Sequence, residues 1–279
     1  MTKTFQSAEV VKTAEGRQYH ISVAPGEIAP YILLCGDPAR AYKVAKYFEK
    51  ANEPITHREY VTITGVYKGL PISVMATGIG TDNTEIALIE ISQVVEKPTL
   101  VRIGTCGALK PGIELGDLVI STGAVRLENT TDAFVVEGYP AVAHHEVVLA
   151  LLESAKQKNK KHHAGLTGTA SGFYGAQGRT VPGFTPRNPN LPKELEQMNV
   201  LNLEMESSCL FVLSQLGGFR SGAVCAAVAN RHINRFIDSQ GLEDSERACI
   251  EVGLGAMEIL GRMDEKKGKN LHWLPSMGF

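Results

Sequence analysis

The stretch Tyr31-Ile32-Leu33-Leu34-Cys35-Gly36-Asp37-Pro38-Ala39-Arg40 decides how this chain folds. Its apolar first half reads as a buried strand, and Gly36-Asp37-Pro38 stops it. Proline suits the opening of a helix, so Ala39 to Phe48 reads as the helix that follows. The same alternation continues outward. Val61 to Tyr67 and Pro71 to Ala76 look like paired strands joined around Lys68-Gly69. Asn83 to Val95 carries Ile86, Leu88, Ile89, Val94 and Val95 at helical spacing. Leu100 to Gly104 reads as a strand ended by a glycine turn. Asp117 to Ser121, Ala164 to Ser171 and Ala223 to Ala229 read as further strands. Val147 to Lys156, Glu194 to Met198, Glu204 to Leu216 and Ser245 to Met263 read as helices. Gly175 to Pro192, rich in Gly, Pro, Asn and Arg, is a long loop, and such loops are often functional.

No repeat or linker divides the chain. The pattern predicts a single α/β domain over residues 1–279, with a central mixed sheet flanked by helices. A polar N-terminal segment reaches about residue 17, and a tail starts at about residue 264. The tail ends in Trp273 and Phe279 and is free to hang loose or to dock on the body or a neighbour. The alternation does not give the strand order.

Charges nearly cancel, 28 Lys+Arg against 30 Asp+Glu, which argues against an electrostatic nucleic-acid or membrane binder. A local anion site needs only two or three arginines and is not excluded. No run of apolar residues is long enough for a transmembrane helix, and Met1 to Arg17 lacks an apolar signal core. The cysteines, Cys35, Cys106, Cys209, Cys225 and Cys249, are odd in number and sit mostly in apolar runs. Buried thiols in a reducing cytoplasm fit best. His144-His145 and His162-His163 have no clustered Cys or acidic partners, so they read as surface or structural histidines and no metal is expected.

Several short stretches carry polar chemistry at element ends. Gly36 to Arg40 combines a glycine, a helix N-terminus and an arginine, a fit for an anion; the plain reading is an ordinary turn with an exposed arginine. Its spacing is neither a P-loop nor a dinucleotide fingerprint. Arg102-Ile103-Gly104-Thr105-Cys106-Gly107 puts an arginine inside an apolar strand, where it must find an anion, a carbonyl or a core carboxylate. His57-Arg58-Glu59-Tyr60 is polar enough to be plain surface. Phe173-Tyr174-Gly175-Ala176-Gln177-Gly178-Arg179 offers a ring to stack on, an amide for an amide-like base edge and a cation for a carbonyl oxygen gaining charge. Alone it would read as a turn with a core phenylalanine. Asn202-Leu203-Glu204-Met205-Glu206-Ser207 places two carboxylates in an apolar region, a fit for a ribose diol or else a solvated helix face.

Taken together and in this order, with Thr77-Gly78-Ile79-Gly80, these stretches resemble the uridine phosphorylase branch of the nucleoside phosphorylase family, from about Tyr19 to about Met263. The resemblance implies a partly barrel-like sheet. It implies that Gly36, Arg40, Arg102 and Thr105 hold phosphate and that Arg58 reaches the phosphate of a neighbouring subunit. His20 would likewise cross to the ribose 5′-hydroxyl. Met205 and Glu206 would sit against the ribose, with Glu204 beside them, and Phe173, Gln177 and Arg179, with Gly107, would recognise uracil. A homodimer is then the smallest complete unit, with a hexamer built as a trimer of dimers in many bacterial relatives. Relatives with a monovalent interface cation use a glutamate matching Glu59 and a serine; Asn83 stands at the serine position, which argues against that ion. No cofactor is implied beyond phosphate as co-substrate.

The activity implied is reversible phosphorolysis of uridine to uracil and ribose 1-phosphate, in a cytoplasmic setting. Purine enzymes of the family protonate the base with an aspartic acid in the region matching Val228-Ala229-Asn230-Arg231, and Asn230 cannot act as that acid. A broader nucleoside phosphorylase, taking thymidine, deoxyuridine or some purine nucleosides, stays open. So does a non-catalytic nucleoside sensor, against which the retained phosphate arginines argue.

Overall fold

In the computed structural model, which describes residues 7–13 and 15–279, the Val- and Ile-rich runs become strands of one sheet. In chain order they are β1 (Tyr31–Cys35), β2 (Lys50–Ala51), β3 (Ile55–His57), β4 (Tyr60–Tyr67), β5 (Leu70–Ala76), β6 (Thr99–Ala108), β7 (Leu118–Leu127), β8 (Ala141–Val142), β9 (His162–Ala170), β10 (Asn202–Glu204), β11 (Arg220–Asn230) and β12 (Arg235–Phe236). The helices are α1 (Pro38–Ala45), α2 (Thr81–Ser92), α3 (His145–Gln157), α4 (Leu191–Gln197), α5 (Ser207–Gly217) and α6 (Ser239–Lys267).

β6 is the hinge of the topology. One edge runs parallel to β11 from Thr99 to Ala108. The other pairs first with β1, through Leu34–Arg102, and then antiparallel with β10, from Gly107. β11 continues to β7, β7 to β9 and β9 to β10, which returns to β6. These five strands close a barrel, as the resemblance implies. Irregularities in β7 between Ser121 and Gly123 and in β11 between Ala227 and Ala229 add local bends. β1, β5, β4 and β2 leave the barrel as an open arm.

Successive side chains of β1 point to opposite faces. Leu33 and Cys35 join a core with α1, α3 and α6; Ile32 and Leu34 join a second core with α2 and α5. Burial on both faces is why this strand reads as an unbroken apolar run.

Two sequence readings need correction, and the structure decides a third that the sequence left open. Glu204 to Leu216 is not one helix: Asn202–Glu204 is β10, and α5 starts only at Ser207. Leu203 is claimed by pairing with Gly107 and Gly168, contacts distant in sequence that override local periodicity. Gly104 does not end its strand. A Cβ there would lie 3.0 Å from Cys225 Sγ, so the glycine serves the close approach of β6 and β11. The tail is docked: Trp273 is buried, its backbone N–H donates to Glu146 Oε1 at 3.0 Å, and Phe279 packs on its ring.

The five cysteines are free and buried. His144 caps α3, accepting from the Glu146 N–H, and His163 bonds Asp117, so both serve structure. Of the polar N-terminal segment, residues 1–6 and 14 lie outside the described residues. Among the described residues no helix is long and apolar enough to cross a membrane.

Candidate active site

A gap along β6 makes the cavity. Because β1 leaves its edge after Arg102 and β10 joins only at Gly107, the residues Ile103 to Cys106 face no strand on that side. Ligands in α/β sheets gather beyond the carboxyl ends of strands where neighbours diverge. A cavity of about 710 Å³ opens there, a size suited to a small-molecule site.

Gly36, Arg40, Arg102 and Thr105 all line it. Gly36 follows β1 directly. A Cβ there would sit 3.2 Å from the Gly78 carbonyl oxygen and 3.8 Å from Arg102 Nη2, so any side chain would crowd this wall. Asp37 caps α1 by accepting from the Ala39 N–H at 2.9 Å, which fixes the helix that carries Arg40. Arg40 Nε donates to Glu246 Oε1 at 2.6 Å, and Nη1 donates to the Ile103 carbonyl at 3.2 Å, in the unpaired stretch of β6.

Arg102 is 6% exposed. Its Nη2 donates to Glu206, while Nε lies 3.9 Å from Glu204 Oε2 with no hydrogen-bond partner among the described residues. Burial opposes its charge, but the Glu206 and Glu204 carboxylates outweigh burial and raise its pKa, so Arg102 stays a cation.

Glu206 sits at the N-cap position of α5 and accepts from the Gly80 N–H at 2.7 Å. Met205 and Glu204 share the wall with it. Both Glu204 oxygens are engaged inside the protein, by Thr169 Oγ1 at 2.5 Å and by the N–H groups of Glu206 and Ser207. Burial, then the neighbouring Glu206, push the Glu204 carboxyl upward. Its bonds tie β10 to the start of α5.

Phe173, Gln177, Arg179 and Gly107 line the cavity too. The first three come from the segment after β9, which turns through a left-handed Gly178 at φ +67°. The Arg179 guanidinium lies 3.8 Å from the Phe173 ring centroid and donates to the Phe173 carbonyl and to Gln177 Oε1. Arginine only donates, so the amide atom facing it must be oxygen. Gln177 Nε2 is left with no protein partner among the described residues. Burial and then the nearby Arg231 push Arg179 down to about 10, still charged at neutral pH.

Asn230 stays out of the cavity wall. Its amide donates to the Ile113 carbonyl at 2.8 Å and accepts from the Ile233 N–H at 3.1 Å, which fastens the end of β11. His20 and Arg58 do not line the cavity either. They sit together: His57 Nδ1 lies 2.8 Å from the His20 carbonyl, Arg58 stacks on Tyr19, and His20 Nδ1 lies 2.7 Å from Glu90. Arg58 is exposed in the β3–β4 turn at φ +55°. Glu59 and Asn83 do reach the wall, on either side of Gly78, whose Cβ would lie 2.6 Å from Asn83 Nδ2.

Sequence reasoning missed Glu246, Thr169, the Gly80 N–H and Arg231, whose Nη1 donates to the Gln177 carbonyl at 3.2 Å. Glu246 did carry a signal, because it lies on the buried stripe of α6.

The sequence matches the family model described as the phosphorylase superfamily over residues 30–250, which is most of the chain. The chain belongs to the phosphorylase superfamily. Within this superfamily it is similar to a uridine phosphorylase of Thermococcus kodakarensis, 44% identical with 99% of each chain covered. A uridine phosphorylase of Haemophilus influenzae is 35% identical, over 87% of this chain and 98% of that one. A guanosine phosphorylase of Halorubrum lacusprofundi is 30% identical, over 77% of this chain and 84% of its own. Among solved structures, a Trypanosoma brucei nucleoside phosphorylase described as showing uridine phosphorylase activity superposes with a TM-score of 0.81 at 25% identity. It covers 89% of this chain and 99% of that one. The superfamily thus includes enzymes named for pyrimidine and for purine nucleosides, and membership alone does not choose the base.

Proposed function

We propose that this superfamily member is a uridine phosphorylase, converting uridine and phosphate reversibly to uracil and ribose 1-phosphate. The observation that carries the base assignment is the Gln177–Arg179 pair, combined with an amide at Asn230 that is spent on backbone. Similarity to uridine phosphorylases at up to 44% identity supports the same reading.

In this scheme Arg40, Arg102, Gly36 and Thr105 hold phosphate beside Met205 and Glu206, which hold the ribose. The C1′–N1 bond lengthens, its electron pair leaving with uracil, while a phosphate oxygen closes on C1′ from the opposite face. The phosphate charge favours the positive sugar of the transition state. Arg179 and the free Gln177 amide N–H favour the negative charge gathering on the uracil carbonyls. Phe173 stacks on the base. No cofactor or metal enters these steps.

His20 and Arg58 would complete the site of a second subunit, which makes a homodimer the smallest active unit and a hexamer its natural extension. They lie next to each other but outside the lining of the chain's own cavity, which supports that assignment. The same reading takes residues 1–279 as one catalytic domain working in the cytoplasm.

Uridine and inosine assayed side by side with saturating phosphate test the base assignment. The expected result is uridine cleavage far faster than inosine cleavage. Inosine cleaved as fast or faster would overturn it and leave the superfamily assignment standing.

A further inference from the structure

Arg40 and Arg102 differ in where their carboxylate partners sit. Glu204 and Glu206 line the cavity, so the groups facing Arg102 belong to the space that substrate enters. Glu246 does not line it. It projects from α6 with its side chain 9% exposed, and it meets Arg40 from behind. Oε1 accepts from Arg40 Nε at 2.6 Å, and Oε2 accepts from Lys43 Nζ, one turn further along α1. The Ile103 carbonyl takes Nη1 at 3.2 Å. Nη2 has no protein hydrogen bond among the described residues, so it remains for an anion in the cavity.

Among the described residues no other carboxylate pairs with this arginine. Cys35 and Cys249 are close by, but burial pushes their thiols up to about 12 and about 11, so both are neutral. A fork fixed before the ligand arrives spares the ligand the ordering of a long, flexible side chain. The Glu206 bond cannot serve Arg102 in this way, because Glu206 is itself assigned to the ribose.

We infer that Glu246, anchored by Lys43, is a positioning residue that aims Arg40 at the phosphate and thereby sets phosphate affinity. This rests on the phosphorylase reading of the cavity. The geometry of the acceptor, and not only its charge, carries the effect.

The test is calorimetric titration of inorganic phosphate into the wild type, E246A, E246Q and E246D, with KM values for phosphate and uridine alongside. Losing a charge-assisted hydrogen bond predicts phosphate binding about five-fold weaker in E246A, with KM for uridine changed by less than roughly two-fold. E246Q keeps an acceptor for the Nε–H and stays within roughly two-fold of wild type. E246D keeps the charge but withdraws the acceptor, and weakens phosphate about as much as E246A. Unchanged phosphate affinity in E246A overturns the inference, as does a parallel rise in both KM values. If E246A fails to fold, the E246Q and E246D pair decides: the reverse order, or no difference between them, overturns it. A wild type that binds phosphate but leaves uridine intact defeats the uridine reading alone, and the affinity ratios still decide on Glu246. A wild type that binds no phosphate defeats both.

Discussion

The two ends of the cavity hold their arginines in opposite ways. At the phosphate end Arg40 and Arg102 are carried by α1 and by the central strand β6, and each is paired with a carboxylate. At the base end Arg179 lies on an irregular segment, against a ring, an amide oxygen and a backbone carbonyl, with no carboxylate partner among the described residues. The first arrangement ties anion binding to the integrity of the fold. The second leaves a positive charge uncompensated, which suits a leaving group that becomes negative only in the transition state.

The sharpest way to break this comparison is Arg102→Met. Phosphorolysis should fall by about 10³-fold. Stability should fall as well, by about 3–5 kcal/mol, because Glu206 and Glu204 are left buried without their cation. Steady-state rates and urea unfolding measure the two losses, and a rate loss with unchanged stability would contradict the account of this end. Arg179→Ala should cost about 10²-fold in kcat/KM for uridine. Its stability should move by less than about 1 kcal/mol, since no buried carboxylate loses a partner. A large drop in unfolding midpoint would erase the difference between the ends.

Phe173→Ala should raise KM for uridine about tenfold through lost stacking and leave KM for phosphate unchanged. A parallel shift in phosphate KM would mean that the two ends are not separate.

The last effect is on acid stability, and it sharpens the comparison by coming from neither end. Burial, then the adjacent His145, push His144 down from 6.5 to about 4. Between those values the unfolded chain binds the proton and the folded chain does not. This contribution is therefore complete above about 6.5 and is lost as pH falls towards about 4. Glu146 resists burial through bonds from Trp273, Arg220 and Lys267, which hold it at about 2, so its share is complete above 4.5 and is lost as pH falls through about 2. His144→Asn, which can still cap α3, should flatten the first decline and preserve the second. Unfolding curves at several pH values check this, and an unchanged slope between 6.5 and 4 would contradict it.

Much of this fold was legible where the chain acts locally. The run Tyr31 to Cys35 and its glycine turn announced β1 and α1, and Lys68-Gly69 announced the β4–β5 hairpin. The barrel was not legible from the residues alone, because its closure depends on β6 pairing with β11 and β10 far along the chain. β10 is only three residues long, too short for a period to register, so it merged into the helix that follows. The candidate site followed the same rule. Residues at element ends and turns, such as Gly36, Arg40 and Gln177, stood out by type and place and do line one cavity. Glu246 escaped because its meaning depends on Arg40, 206 positions away.

The central claim is that phosphate, and not water, takes the sugar from uridine. Phosphorus-31 NMR of the wild-type enzyme with uridine and inorganic phosphate tests it directly. The account predicts that the ribose 1-phosphate signal grows in step with uracil release, and that no uracil forms when phosphate is left out. Uracil released without phosphate, with free ribose as the other product, would contradict it and would remove the role assigned to Arg40 and Arg102.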